Sequence, residues 1–175
     1  ILLWVRDELS FDRFHEKAAR TYRLTAEASD LQVAITPAPM APALKEAIPE
    51  IQHSARLWAI GSAMMQTGDV KFEEKEGFYT EPSFFEVFDF TLLKGNPKTA
   101  LEQPNGIVLT EDLAIKYFGT TDALGKILRK DNKVDFTVTG ILSPPPGNTH
   151  LRFDFLLPWS QAATWERNIK DNVWD

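Results

Sequence analysis

Val134, Phe136 and Val138 alternate with Asp135, Thr137 and Thr139, a period of two that fits a β-strand with one dry and one wet face. A polar turn at Asp131-Asn132 comes just before it and predicts a pair of strands around that turn. Leu151, Phe153, Phe155 and Leu157 repeat the alternation, as do Tyr22, Leu24, Ala26 and Ala28 set against Arg23, Thr25 and Glu27. Ser29-Asp30 turns the latter into a second short strand around Val33 and Ile35. Ile107-Val108-Leu109 reads as a short buried strand, and Ile51 to Ile60, Val70 to Phe72 and Phe78 to Thr80 as further strands. A chain with this many short strands must build a sheet.

Helical signals fall between the strands. Phe11, Phe14 and Ala18 have helical spacing within Asp7 to Arg20. Pro42 suits the first turn of a helix from Ala41 to Ala47, and Pro49 ends it because the residue before a proline leaves the α region. Pro82 opens a turn through Ser83 to Phe88, followed by Phe90, Leu92 and Leu93 and stopped at Gly95-Asn96-Pro97. Thr110 is placed to cap a helix carrying Leu113, Ala114, Tyr117 and Phe118, which Gly119 terminates. Ser160 is placed to cap a last helix with Ala163, Trp165 and Ile169. Pro37, Pro39 and Pro42 in one stretch, and Pro144 to Asn148 in another, predict loops that cannot hold regular hydrogen bonds. The irregular order of strands and helices indicates α+β and not a doubly wound parallel sheet.

Twelve Phe and five Trp in 175 residues give enough apolar surface for a core. The net charge of −6 and the lack of any Lys/Arg run speak against a nucleic-acid partner. Without cysteine there is neither a disulfide framework nor a thiolate metal site. Ile1 to Val5 is apolar and gives way to Arg6-Asp7-Glu8. It reads either as the last turn of a transmembrane helix with Trp4 at the interface or as the start of a buried helix.

The chemistry expected of an enzyme is thin. Gly119 to Lys126 has five residues where a phosphate-binding loop has four, and Ile127 stands where a hydroxyl is needed. His15-Glu16 lacks the second histidine of a zinc helix, since Ala19 occupies its place. His15, His53 and His150 would need the fold to bring them together. Two acidic groups, Asp7, Glu8, Asp12 and Glu16, and Glu73, Glu74 and Glu76, are the candidates for acid–base work, with a solvated face as the plainer reading. No catalytic, cofactor or metal residue is assigned. Four phenylalanines between Phe84 and Phe90 form the densest apolar patch, either core or a partner-facing surface. The candidate partner contacts are Phe84, Phe85 and Phe88, with Pro39 and Pro145 on the two proline loops.

A series of short motifs points to a family. Asp7 to His15 leads into Thr21-Tyr22-Arg23-Leu24. Met40-Ala41-Pro42-Ala43-Leu44-Lys45, Ile48-Pro49-Glu50 and Ala55-Arg56-Leu57 follow. Phe84 to Phe90, Leu93-Lys94-Gly95, Ile107 to Thr110 and Lys116-Tyr117-Phe118-Gly119 come next, and Gly125-Lys126, Val138 to Ile141 and Asn148 to Leu151 close the series. In this order they resemble the periplasmic core domain of MacB-type, FtsX-like ABC transporter permeases, in the version common in the Bacteroidetes group. The resemblance runs from about residue 6 to 157.

The resemblance implies a two-lobed α+β domain with mixed sheets and short helices, one lobe βαβ-like and one richer in strands. It implies that residues 1–5 end the first transmembrane helix and that 6–175 form the domain, whose end lies beyond Asp175. Its place would be the periplasmic side of the bacterial inner membrane. Its partners would be the permease's own membrane helices, a cytoplasmic ATPase, a second permease subunit in a homodimer or heterodimer, and an envelope protein. The implied role is non-catalytic: relaying ATP-driven movement (mechanotransmission), or handling an exported lipoprotein, peptide, lipid or drug. The rival readings are a secreted hydrolase built on the acidic clusters and the sensor domain of a membrane receptor.

Overall fold

The computed structural model describes residues 10–28 and 31–165. Two short strands, β1 (Ala26–Ala28) and β2 (Leu31–Val33), form a separate antiparallel pair. Helix α1 (Met40–Ala47) follows, then β3 (Leu57–Ile60), β4 (Ala63–Thr67), β5 (Val70–Glu74) and β6 (Gly77–Thr80). A single helical turn, α2 (Phe84–Val87), precedes β7 (Leu92–Gly95) and β8 (Gly106–Thr110). Helix α3 (Glu111–Phe118), β9 (Ile127–Lys130), β10 (Val134–Leu142), β11 (Phe155–Pro158) and α4 (Trp159–Trp165) complete the order. This is the expected α+β class, with mixed sheets and short helices.

Nine strands make one sheet in the order β3-β6-β11-β8-β10-β9-β4-β5, with β7 alongside β10. β10 is nine residues long, and its two ends serve different neighbours: β9 pairs with its first half and β7 with its last residues. β8 lies parallel to β10, with α3 in the crossover, and β6 lies parallel to β11. The other half, β9-β10 and β4-β5, is antiparallel. The βαβ-like and strand-rich portions are therefore two halves of one continuous sheet.

Both faces of the sheet centre are dry. Ile107 and Leu109 of β8 enter one hydrophobic cluster while Val108 enters the other. Phe155 and Leu157 of β11 likewise part from Leu156. The first cluster is closed by Leu113, Ala114 and Tyr117 of α3 and Ala162 of α4. The second is closed by Phe84, Phe90, Leu101 and Phe153. Burial on both faces explains why β8 reads as a continuous apolar run and not an alternation.

Several local expectations hold. The Thr110 hydroxyl accepts from the Leu113 N–H (3.4 Å), and Gly119 takes the left-handed conformation (φ 67) that lets its N–H close onto the Ile115 carbonyl. Asp131 and Asn132 both have positive φ (52 and 54), the pattern of a tight hairpin turn between β9 and β10.

Others are corrected. Ser10 to Phe14 forms turns and Ala18–Arg20 a single short 3₁₀ helix, so no α-helix covers the described part of Asp7 to Arg20. Asp12 at φ 56 breaks any helix there. Tyr22 to Thr25 is not strand: Tyr22 is 83% exposed and Leu24 43%, because nothing pairs with them among the described residues. Only Leu57–Ile60 of the Ile51 to Ile60 stretch is strand. Leu92 and Leu93 belong to β7, not to a helical continuation. α4 begins at Trp159, so Ser160 lies inside it and is not its cap. The Ser29-Asp30 turn and Ile169 lie outside the described residues.

Candidate functional site

The feature that stands apart from ordinary core packing is a clasp joining the segment Ser10 to Lys17 to two distant loops. Its centre is Asp12. Its N–H donates to the Asn148 carbonyl (2.9 Å), and its carboxylate accepts from the Thr149 hydroxyl (2.6 Å) and the His150 N–H (3.2 Å). The same carboxylate meets His150 Nδ1 at 2.6 Å. The Asn148 side-chain amide donates to the Ser10 carbonyl (3.1 Å) and contacts its hydroxyl (3.2 Å). These partners are 138 residues apart or nearly so.

The second half of the clasp closes on the loop after α2. The Asp89 N–H donates to His15 Nδ1 (2.9 Å), the Glu16 N–H donates to the Asp89 carboxylate (2.8 Å), and Lys17 Nζ donates to the Glu86 carbonyl (2.6 Å). Because Nδ1 accepts, the proton of a neutral His15 sits on Nε2. That atom is buried and has no hydrogen-bond partner among the described residues. The imidazole lies instead among Phe14, Phe88 and Phe90, with centroids at 3.9, 5.5 and 5.3 Å.

The electrostatics fit a joint held at neutral pH. Burial alone would raise the Asp12 pKa, but the hydrogen bonds from Thr149 and His150 hold it below the ordinary carboxylate value. Burial pushes the His15 imidazole below its usual value, against the opposing charges of Asp89 and Asp12. The positive φ of Asp12 is a second mark of a built joint, since aspartate tolerates the left-handed region better than most residues do.

The expected contact residues divide between the core, the clasp and the surface. Phe84 is fully buried, stacked on Phe90 at 5.6 Å and in contact with Phe153, so it is core and offers no surface to a partner. Pro39 is buried as well. Phe88 is half-buried and faces His15. Phe85 and Pro145 are half-buried.

Of the acidic candidates, Asp12 and Glu74 are engaged by close partners. Asp7 and Glu8 lie outside the described residues. Glu74 is buried and accepts from Lys116 Nζ (2.7 and 3.0 Å) and the Tyr117 hydroxyl (2.5 Å). Burial, then the adjacent Glu74 carboxylate, pushes the Tyr117 pKa upward. Burial and the charges of Glu74 and Glu76 raise Asp154. Among the described residues no group of three His, Asp or Glu side chains is placed to hold a metal ion, so His15, His53 and His150 do not form one. Arg129, beside a shallow polar depression at the β4–β5 turn, is spent on Asp135 (2.6 and 2.9 Å).

The sequence motifs around Asp12 and around Asn148 thus meet in space, which their separation hid. The model of the MacB-like periplasmic core domain matches residues 1–174. The chain belongs to the MacB-like periplasmic core domain family. Among solved structures, this MacB-like domain is similar to a domain assigned to a permease protein from Porphyromonas gingivalis, with 29% identity and TM-score 0.70. That match covers 83% of this chain and 65% of the other. It is also similar to the periplasmic region of MacB from Actinobacillus actinomycetemcomitans (17% identity, TM-score 0.52, covering 70% and 57%). A third is the extracellular domain of the noncanonic ABC-type transporter YknZ from Gram-positive bacteria (16% identity, TM-score 0.58, covering 75% and 66%). The latter two show the fold alone. The chain spans less than two thirds of the length of each. A comparison with curated proteins gives no match. No helix among the described residues is long and apolar enough to cross a membrane.

Proposed function

We propose that this MacB-like domain is the outer domain of an ABC transporter permease and relays ATP-driven movement from the membrane to the envelope. The observation that carries this reading is the clasp. In the proposed arrangement residues 1–5 end the first transmembrane helix, and Ser10 to Lys17 follow at once. A segment entering from the membrane would move the domain only if it were fixed to it. Asp12, His15, Glu16 and Lys17 fix it at two separate loops, so a pull or rotation at the membrane is delivered to the sheet and not absorbed by a hinge.

The partners in this reading are the permease's own membrane helices, a cytoplasmic ATPase and a second permease subunit. In this reading the domain supplies movement and not chemistry: Asp12 and Glu74, two candidate carboxylates with polar partners already in place, serve the fold. Phe85 and Pro145 remain proposed contacts for an envelope partner or an exported substrate such as a lipoprotein, peptide or lipid.

The test uses the full-length permease with its ATPase in vesicles, spin-labelled at exposed Lys133 of both subunits. The reading expects labels reached from the outer side and a distance that changes between nucleotide-free and ATP-bound states. Labels reached from the ATPase side, or a distance indifferent to nucleotide, would refute it.

A further inference from the structure

β5 pairs with β4 on one side, and among the described residues its other edge ends the sheet. The β4–β5 hairpin turns over two residues, Gly68 and Asp69, with Gly68 at φ 54 and Thr67 directly opposite Val70. A two-residue hairpin closes on a hydrogen-bonded pair, and such pairs recur at every second residue. Val70, Phe72 and Glu74 therefore turn their backbone groups toward β4, while Lys71 and Glu73 turn theirs to the open edge.

Only outward-facing residues can exchange hydrogen bonds with an incoming strand. An antiparallel copy of β5 centred on this edge thus has three registers: Lys71 opposite Lys71, Glu73 opposite Glu73, or Lys71 opposite Glu73. The first two set like charges face to face, which is unfavourable. The third sets opposite charges together, twice, by two-fold symmetry. It also sets Asp69 against Lys75 at both ends, so the run Asp69, Lys71, Glu73, Lys75 is complementary to its own reverse. All four residues are exposed. An intrachain contact from Lys75 Nζ to Glu73 Oε2 (3.9 Å) competes, but both groups are open to solvent.

Phe72 lies on the two-fold axis of this register. It is 45% exposed, an unusual state for phenylalanine on a strand, and Val70 beside it is exposed too. Its ring has Lys116 Nζ 4.6 Å from the centroid and Tyr117 at 6.0 Å, and pairing would bury it against its own copy.

We propose that the free edge of β5 is a two-fold interface with a second copy of this chain, paired antiparallel in the Lys71–Glu73 register. Lysine on an edge strand ordinarily discourages pairing. Here the alternating signs reject the mismatched registers and accept one. A ladder of five residues falls well below the roughly 1,200 Å² of a stable interface, so the free chain associates weakly, with Kd on the order of 0.1–1 mM. Two copies held side by side in a membrane would be at millimolar effective concentration, and the edges would then close. That last consequence rests on the permease reading; the pairing itself does not.

The test is sedimentation of the 175-residue chain up to about 1 mM, where a complex of this strength is half formed. The wild type should dimerise, K71E should weaken the dimer about tenfold or more, and K71E/E73K should restore it. Phe72→Cys places two thiols across a non-hydrogen-bonded pair with Cα atoms about 4.5 Å apart, within disulfide reach. It should form a covalent dimer on mild oxidation faster than the control Leu124→Cys, which is equally exposed. A chain that stays monomeric, a charge swap that fails to rescue, or a Phe72→Cys variant that oxidises no faster than the control overturns the proposal. Each leaves the permease reading standing, since that rests on the family and the clasp.

Discussion

Replacing Asp12 should open the clasp without unfolding the sheet. Asp12→Gly removes the carboxylate but keeps a residue at ease at φ 56. Three contacts go: the Thr149 hydroxyl, the His150 N–H and the His150 ring. The ring contact counts for little, about 0–1 kcal/mol, because His150 is 71% exposed. The Thr149 hydroxyl is buried and loses its acceptor, at about 1–3 kcal/mol, and the His150 N–H adds about 0.5–1.5. Together they come to roughly 1.5–5.5 kcal/mol. Asp12→Ala should cost about 1 kcal/mol more, because a side chain without polar help strains the left-handed region. The assay is native-state hydrogen exchange. Protection at the amides of Asp12, Glu16, Asp89 and His150 should fall about 10- to 10,000-fold in Asp12→Gly, the equivalent of that free energy. The core amides of Ile107 and Leu109 should keep theirs. Equal loss at core and clasp would mean the clasp is no separate unit, and no loss would mean Asp12 holds nothing; either refutes the reasoning.

Gly77→Ala should destabilise the domain by more than about 3 kcal/mol, since its Cβ would lie 2.2 Å from the Phe155 ring in a fully buried cross-strand pair. In a double-mutant cycle by urea denaturation, Phe155→Leu should recover part of that loss. Acid should loosen the clasp. Buried neutral His15 contributes stability that is complete above its ordinary value of 6.5 and is lost as pH falls from there toward its lower folded value. Ionised Asp12 adds a further loss below 3.8, and His15→Phe should flatten the first window alone in an exchange-versus-pH series. Glu74→Ala should cost about 3–5 kcal/mol in denaturation midpoints, because Lys116 and the buried Tyr117 hydroxyl lose their shared partner.

Where local chemistry decides structure, the sequence was legible. Thr110 and Gly119 bound α3 because a cap hydroxyl and a left-handed glycine act within one turn. Asp131-Asn132 marked its hairpin for the same reason. β4 escaped notice because its buried residues are Ala63 and Met65, small or plastic side chains that give a faint alternation. The two-residue turn Gly68-Asp69 ahead of Val70 was the available signal. The segment Asp7 to Arg20 misled because its helical spacing competes with partners far along the chain. Phe14 packs in the second core and Asp12 belongs to Thr149 and His150. Contacts across 138 residues leave no periodic trace. The Phe84 to Phe90 stretch showed its apolar character but not its direction, which only the β7–β10 pairing and the clasp determine.

The most direct measurement is the nucleotide-dependent Lys133 distance in the full-length permease, compared between wild type and Asp12→Ala with ATP hydrolysis recorded in parallel. If the clasp carries the motion, the variant still hydrolyses ATP while the distance change shrinks or vanishes. An unchanged distance response in a variant whose clasp amides have lost protection would show that movement reaches the outer domain by another route.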